Sequence, residues 1–213
     1  MFFATNFTLA AGHLLEVGTK VELRSSEKGL CRFCDRRAPA VTFKKEAHAL
    51  PHALGNKSLT TDYECDECNE AFGQGIENDL GAWTLPIRWL AQIRGNGGLP
   101  KIKRSSKGGW RFGFNEKGAA VTQRDGDDVF EIDEENRVVT FRLRRDPYYP
   151  VAVYKAFVKI ALTIMPEEQL KHFATTIAWI RETDHSRPLC IRSRSAACSC
   201  LVHARSTLSS SVC

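Results

Sequence analysis

Two pairs of cysteines are the residues of this chain whose type and spacing most clearly specify a chemistry. Cys31 and Cys34 form one Cys-x2-Cys pair, and Cys65 and Cys68 form the other. Two such pairs supply the four soft ligands of a closed, tetrahedral zinc site, which stabilises the surrounding fold and has no open position for a reaction. The sequence therefore predicts one structural zinc ion, and any catalytic groups must lie elsewhere.

The segment between the two pairs carries the side chains that could do chemistry. It is longer than the roughly 15 to 20 residues usual between such pairs, and it contains Glu46, His48 and Asn56, with Asn69 directly after the second pair. A neutral imidazole can accept a proton near pH 7. Carboxylate and amide oxygens are ligands for hard divalent cations. We therefore expect the active site in and beside this segment.

The stretch from Cys31 to Gly73 resembles the zinc-knuckle branch of the HNH nucleases, and it reads CRFCDRRAPAVTFKKEAHALPHALGNKSLTTDYECDECNEAFG. That branch has an acid and His before a Pro, then Gly-Gly or Gly-Asn, then the second cysteine pair and His or Asn. The resemblance implies a ββα unit that binds one catalytic divalent cation, such as Mg²⁺, beside the structural zinc. It also implies that His48 activates water against a phosphodiester, that Asn69 lies in the metal site, and that Asn56 fixes the imidazole.

Two departures from the family pattern accompany this resemblance. The acidic metal ligand usually precedes the His directly, whereas here Ala47 intervenes and Glu46 lies one step further back. Because side chains alternate along a strand, Glu46 and His48 would still share a face, so Glu46 is the candidate carboxylate ligand together with Asn69. The family's Asn-Leu step falls near Ser58-Leu59, which makes Asn56 a loose match.

The departures leave a second function class open. Paired cysteine knuckles also occur in zinc modules that bind nucleic acid or protein without catalysis, and the missing acid-His adjacency favours that alternative. The first hypothesis is an endonuclease that hydrolyses DNA, with RNA as the alternative substrate; protein partners cannot be inferred.

Three residues near the motif have two interpretations each. His52 follows His48 at helical spacing, but Pro51 argues against one helical turn, which predicts a surface or phosphate-contacting side chain. Glu77 and Asp79 lie on the predicted helix after Asn69. They could approach the metal, or they could form a solvated helix face.

The positive charge is concentrated in the tail. The net charge is +5, and residues 185–213 contain four arginines and no acid, which leaves +1 for the rest. Within the body, a basic run with interspersed glycines is the candidate phosphate-binding segment, with a mobile solvated loop as the alternative. Phosphate contacts give affinity without reading sequence. The residues predicted to contact nucleic acid are Lys101, Lys103, Arg104 and Lys107.

Composition and the N-terminus predict a cytoplasmic location. No run of about 18 or more apolar residues could cross a bilayer, and the apolar N-terminus lacks the basic region of a secretory signal. Paired knuckles without a signal indicate a reducing compartment. The stretch YYPVAVYKAFVKIALTIMPEEQL is similar to the downstream segment of some prokaryotic HNH proteins, which predicts a prokaryotic source and no membrane association.

We expect an α+β protein in which the zinc-stapled module is followed by a β-hairpin region and a helical hairpin. The predicted parts are a lead-in (1–28), the HNH module (29–83), an accessory region (84–184) and a tail (185–213). The tail is rich in Ser, Arg and Cys and has no apolar periodicity. Either it is a natural disordered arm or it is an out-of-frame end.

Hydrophobic periodicity places the individual elements. Strands are predicted over 19–24, 41–43 and 110–114, and a hairpin over 128–132 and 137–143. Helices are predicted over 66–80, over 151–164, and from Pro166 to about residue 181. The apolar stripe of the second helix is assigned to Val151, Tyr154, Phe157, Val158, Ala161 and Ile164, and residues 81–92 are expected to pack against the accessory region.

Overall fold

The computed structural model describes residues 5–9, 12, 14–16, 18–95, 97–103, 111–116, 118–122, 130–141 and 146–186. These residues form a mixed α+β structure with three small sheets. The first sheet contains β1 (Val21–Leu23), β2 (Ala47–His48) and β3 (Leu59–Thr61) in the order β1-β3-β2. Strand β3 is parallel to β1 and antiparallel to β2. The strand predicted over 19–24 is therefore confirmed.

The strand predicted over residues 41–43 is wrong, because the ladder of β2 begins only at Ala47. The Asp66 carboxylate satisfies this segment instead. It accepts hydrogen bonds from the Thr42 hydroxyl and from the backbone N–H groups of Lys44 and Lys45. Val41 is buried in the core. A short β-branched run therefore packs as a loop that is tied to the start of the following helix.

The helix predicted over 66–80 is two helices, α1 (Asp66–Gln74) and α2 (Ile76–Leu90). The break lies at Gly75, whose φ of −99° and ψ of −109° are not helical. A Cβ at this position would lie 3.0 Å from the carbonyl oxygen of Ala71, so the close approach of the backbone favours glycine. Helix α2 continues through residues 81–90, and its Trp83 makes an edge-to-face contact with Phe157. The expected packing against the accessory region is confirmed.

The accessory region contains two separate antiparallel sheets. One comprises β4 (Ile102–Lys103), β5 (Arg111–Asn115) and β6 (Gly118–Thr122). The other is the hairpin of β7 (Phe130–Asp133) and β8 (Val138–Phe141). Both the strand near 110–114 and the hairpin are therefore confirmed. The Asp133 carboxylate accepts two hydrogen bonds from Asn136 in the turn.

Helix α3 (Pro150–Ile164) forms where the sequence predicts it, but the predicted apolar stripe is only partly correct, because Val151 and Val158 alone of its members pack against the core. Tyr154, Phe157 and Ile164 are exposed. The buried face is Ala152, Val153, Lys155, Ala156, Lys159, Leu162 and Thr163. The two lysines broke the apparent apolar pattern, yet both are buried with partners. If Lys155 and Lys159 are counted as polar, the apolar stripe predicted for α3 shifts toward the exposed side of the helix.

The last predicted helix begins as a 3₁₀ helix over Glu167–His172, directly after Pro166, and continues as α4 (Ala174–Arg181). The Lys155 ammonium connects α3 to the end of α4 by donating to the carbonyls of Glu182 and Asp184 at 2.8 and 3.2 Å. Cations stabilise the negative end of a helix dipole. The ring of Tyr154 also meets that of Trp179, so the two-helix arrangement is present.

One hydrophobic core combines residues from the cysteine-rich segment and from the helices of the accessory region. It includes Phe33, Phe72 and Leu80 together with Ala156 and Leu162. Two polar contacts reinforce this packing at the C-terminal end of α3. The Arg32 guanidinium donates to the carbonyls of residues 162, 163 and 165, and it stacks 3.8 Å from the Tyr63 ring centroid. The domain boundaries themselves stay predictions.

Several predicted features lie outside the described residues. These are Arg104, Lys107 and the tail from residue 187 onward. Lys101 is exposed, and Lys103 ends β4. Among the described helices, none has the length and apolarity needed to span a bilayer.

Candidate functional site

The four cysteines of the two pairs converge on one point. The sulfur atoms of Cys31, Cys34, Cys65 and Cys68 all lie within 4.8 Å of one another. The Cys31–Cys68 and Cys34–Cys65 sulfur distances are both 3.8 Å. Four sulfurs at about 2.3 Å from a central ion would be separated by about 3.8 Å in a tetrahedron. The cluster therefore has the composition and size of a structural zinc site.

Local structure positions the cysteine ligands. Cys65 is the N-cap of α1 and Cys68 lies in its first turn, while Cys31 and Cys34 lie in a turn closed by a bond from the Asp35 N–H to the Cys31 carbonyl. The backbone N–H of Cys65 donates to the Cys31 sulfur at 3.5 Å. The hydrogen bond between Cys31 and Cys68 lowers the pKa of Cys31 to about 4, against the opposing effect of burial, and the same bond raises the pKa of Cys68. Thiolates are the form that binds metal.

We expect one zinc ion per chain, bound by these four sulfurs. Structural zinc contributes on the order of 10 kcal/mol or more of binding free energy in small modules, so Cys34→Ser or Cys68→Ser should lose both zinc and the cooperative melting transition. Metal analysis and calorimetry on purified protein measure this, with Cys190→Ser as the matched control outside the cluster. Wild-type protein without zinc, or serine variants that keep their zinc, would contradict it.

His48 lies at the end of β2, directly opposite Thr60 of β3. It is half-buried, and burial lowers the pKa of its imidazole, while the charges of Glu46 and Glu77 act in the opposite direction. Its Nδ1 is a buried atom without a hydrogen-bond partner in the described part of the chain. A neutral imidazole with a free nitrogen at pH 7 can act as a proton acceptor.

His52 contacts His48 directly. Their ring centroids are 5.3 Å apart at an interplanar angle of 75°. As expected from Pro51, no helical turn joins the two residues, and His52 begins a separate 3₁₀ helix. Its Nδ1 is also buried and lacks a partner among the described residues. The ring contact with His48 is a feature that the sequence did not reveal.

The residue before His48 cannot serve as an acidic ligand. Ala47 is fully buried and pairs with Thr61 of β3. Glu46 is exposed, and its carboxylate accepts a 2.6 Å ion-pair contact from the Lys20 ammonium. Its hydrogen bond with Lys20 lowers the pKa of Glu46. The Glu46 carboxylate, which the sequence predicts to be a metal ligand, is thus ionised and forms an ion pair with Lys20 at the surface.

Asn56 organises the loop between β2 and β3. Its amide nitrogen donates to the carbonyls of Leu50 and Leu59, and its oxygen accepts from the N–H groups of Ser58 and Leu59. These four bonds use the full hydrogen-bonding capacity of one carboxamide. A role for Asn56 in placing the imidazole would therefore act through the loop.

Asn69 lies in the first turns of α1 and is half-buried. Residues four apart on a helix share a face, so Asn69 lies on the same side of α1 as Gly73. Gly73 lines a cavity of about 510 Å³ together with His52, Glu77 and Arg88. Asn69 is not among the described residues that line this cavity, and it lies one helical turn before Gly73, which does.

Glu77 points inward, so the interpretation of this residue as a solvated face is wrong. Its carboxylate is 15% exposed and forms an ion pair of 3.0 Å with Lys159. Lys159 is buried and also pairs with Glu64 at 2.9 Å. Burial disfavours the ammonium, but the two carboxylates outweigh it and raise the pKa of Lys159. Asp79 instead accepts a bond from the Tyr149 N–H.

Sequence reasoning missed this Lys159–Glu64–Glu77 cluster. A signal was present, because Lys155 and Lys159 interrupt an otherwise apolar helix at a spacing of four. Lysines in that position are almost never fully buried unless they are paired. The two lysines therefore indicate buried partners, which for Lys159 are Glu64 and Glu77.

The family model of the HNH endonucleases matches residues 31–83. This range contains both cysteine pairs, His48, Asn56, Asn69 and Glu77, and the match confirms the resemblance of this segment. No curated protein matches the chain. No solved structure matches it either.

Proposed function

We propose that the protein is an endonuclease that hydrolyses phosphodiester bonds in DNA, with His48 as general base and one divalent cation at the scissile phosphate. The observation that carries the proposal is the imidazole of His48, held half-buried on a strand with an unpartnered nitrogen, inside the HNH-matching segment. A divalent ion such as Mg²⁺ would supply charge neutralisation at the phosphate.

The residues around His48 suit this chemistry. Because burial lowers the pKa of His48, the imidazole is neutral at pH 7 and can take a proton from water. Strand β3 holds His48 through the β2–β3 ladder, and Asn56 fixes the loop that follows. Asn69 would help to bind or orient the cation, since an amide oxygen is a suitable hard ligand.

The cysteine cluster would support the site without taking part in the reaction. It joins the start of α1 to the turn at residues 31–35, and the Asp66 carboxylate ties the same helix start to the loop before β2. The zinc ion would therefore hold the helix that carries Asn69 against the strands that carry His48.

A zinc module that binds nucleic acid without cleaving it is the second candidate. The buried Ala47 favours it, because the residue before His48 provides no carboxylate. Both candidates are compatible with nucleic-acid binding, and Lys101, which is exposed, belongs to the basic segment proposed for it.

Supercoiled plasmid distinguishes the two functions. We expect the zinc-loaded protein to nick the plasmid in the presence of Mg²⁺ or Mn²⁺. Nicking should stop when EDTA is then added, at an EDTA concentration that leaves the protein folded. A parallel assay on single-stranded RNA tests the alternative substrate. Binding without cleavage under all divalent ions would favour the non-catalytic module.

A further inference from the structure

We propose that Glu77 is the carboxylate ligand of the divalent cation beside His48, held in place by Lys159. This inference rests on the proposed divalent-ion site, and it replaces Glu46 in the role for which the sequence nominates it.

The two candidate carboxylates differ in their surroundings. Glu46 is 48% exposed and engages the 64% exposed Lys20, so it is held only by a flexible surface pair. The Glu77 carboxylate is mostly buried and borders the cavity that His52 also lines. His52 in turn contacts the ring of His48. Glu77 therefore borders the same cavity as His52, and its charge acts on His48 by raising the pKa of that imidazole. The Nδ1 atoms of both histidines are buried and lack partners in the described structure.

The Lys159 ammonium prepares Glu77 for a ligand role. It binds one carboxylate oxygen, Oε1, at 3.0 Å, and each ionised carboxylate has about four lone-pair sites. The contact with Lys159 therefore leaves lone pairs of the Glu77 carboxylate available to a cation. A carboxylate whose rotamer is fixed by packing and by a hydrogen bond from a neighbouring side chain holds a metal better than a mobile carboxylate does.

Charge also favours a cation here. One ammonium faces two carboxylates, because Glu64 pairs with Lys159 at 2.9 Å as well. Burial raises the pKa of Glu64 to about 7. Above that pH all three groups are ionised, and the cluster carries an excess negative charge in a buried setting, which is costly unless it is compensated. A divalent ion on the cavity side of Glu77 would compensate it. An ion at the cysteine cluster would not do so, because the four thiolates would compensate its charge themselves.

Mn²⁺ titration of the zinc-loaded full chain tests the assignment independently of cleavage. The free Mn²⁺ signal in electron paramagnetic resonance gives the affinity. We expect Glu77→Gln to weaken Mn²⁺ binding by at least about 10-fold. Glu46→Gln and the matched control Glu70→Gln, another surface carboxylate paired with a lysine, should change it by less than about threefold.

Wild-type Mn²⁺ affinity in Glu77→Gln, or the large loss in Glu46→Gln instead, would overturn the proposal. If Glu77→Gln fails to retain zinc or to melt cooperatively, Glu77→Asp keeps a charge for Lys159 and withdraws the carboxylate by one methylene. A folded Glu77→Asp variant with wild-type Mn²⁺ affinity would overturn it equally.

The outcomes separate this inference from the proposed function. Mn²⁺ binding that depends on Glu77 in a protein that cleaves no DNA would support the ligand assignment and reject the nuclease. Divalent-dependent nicking by the wild type, with Mn²⁺ affinity unchanged in Glu77→Gln, would support the nuclease and reject the assignment.

Discussion

Replacing His48 by alanine is expected to slow divalent-dependent DNA cleavage by about 100- to 10,000-fold, the usual effect of removing a general base. The imidazole lies outside the hydrophobic core and the cysteine cluster. Zinc content and melting temperature should therefore stay close to those of the wild type. Affinity for DNA should also be retained, because it depends on basic side chains and on the cation. Single-turnover cleavage of a labelled duplex measures the rate.

Two further variants make this result specific. His172→Ala is the matched control, since His172 is an exposed histidine in the 3₁₀ helix before α4, and it should cleave at the wild-type rate. Asn69→Ala should instead raise the divalent concentration needed for half-maximal rate. If His48→Ala cleaves as fast as the wild type, the non-catalytic module becomes the better description.

The pH dependence follows from the environment of His48. Its pKa is lowered by burial, so the neutral, proton-accepting form persists below the ordinary value of about 6.5. The decrease of the cleavage rate on the acidic side of its pH profile should therefore lie below pH 6.5. It should be absent in His48→Ala. Added imidazole should restore part of the rate in that variant.

The cysteine site was predictable because its information is local. A two-residue spacer between cysteines constrains the sulfurs within one turn, and only the meeting of the two pairs depends on the fold. The same holds for β1, the β7–β8 hairpin and the bounds of α3, where alternation or helical periodicity runs over the whole element. These predictions agree with the structure.

Two of the wrong predictions share a physical cause, which is a side chain acting at long range. The Asp66 carboxylate, more than 20 residues away in sequence, satisfies the backbone at Lys44 and Lys45 that a strand would otherwise pair. Likewise, Lys159 is buried because Glu64 and Glu77 reach it from other elements. A single-sequence pattern treats aspartate and lysine as surface residues, so neither arrangement is visible to it.

The residues of the candidate site also differ in whether the local sequence predicts their positions. The motif locates His48 and Asn69, and both lie on elements of the expected kind. The role of Glu77 depends on the helix break at Gly75, which reorients the chain before α2. The sequence predicts an unbroken helix over 66–80, and that prediction does not show that Glu77 faces inward.

Lys159 is the residue whose loss should destabilise the fold most among the polar side chains of the core. Lys159→Met keeps an apolar side chain of similar length in place of the lysine, whose Nζ lies 5.8 and 5.6 Å from the ring centroids of Phe33 and Phe72. It removes the charge, however, and leaves the Glu64 and Glu77 carboxylates without their ammonium. Breaking a buried ion pair by removing one partner costs about 3–5 kcal/mol, and urea denaturation of the zinc-loaded protein measures the loss.

Lys155→Met is the matched control for this experiment, because Lys155 is equally buried one turn earlier on α3 but donates to the backbone carbonyls of Glu182 and Asp184. Leaving carbonyls unpaired costs about 1–3 kcal/mol, less than leaving a charge. Adding Glu64→Gln to Lys159→Met should recover part of the stability, since one stranded charge disappears. Equal losses for the two lysine variants, or no recovery in the double variant, would show that Lys159 contributes by packing and not by charge.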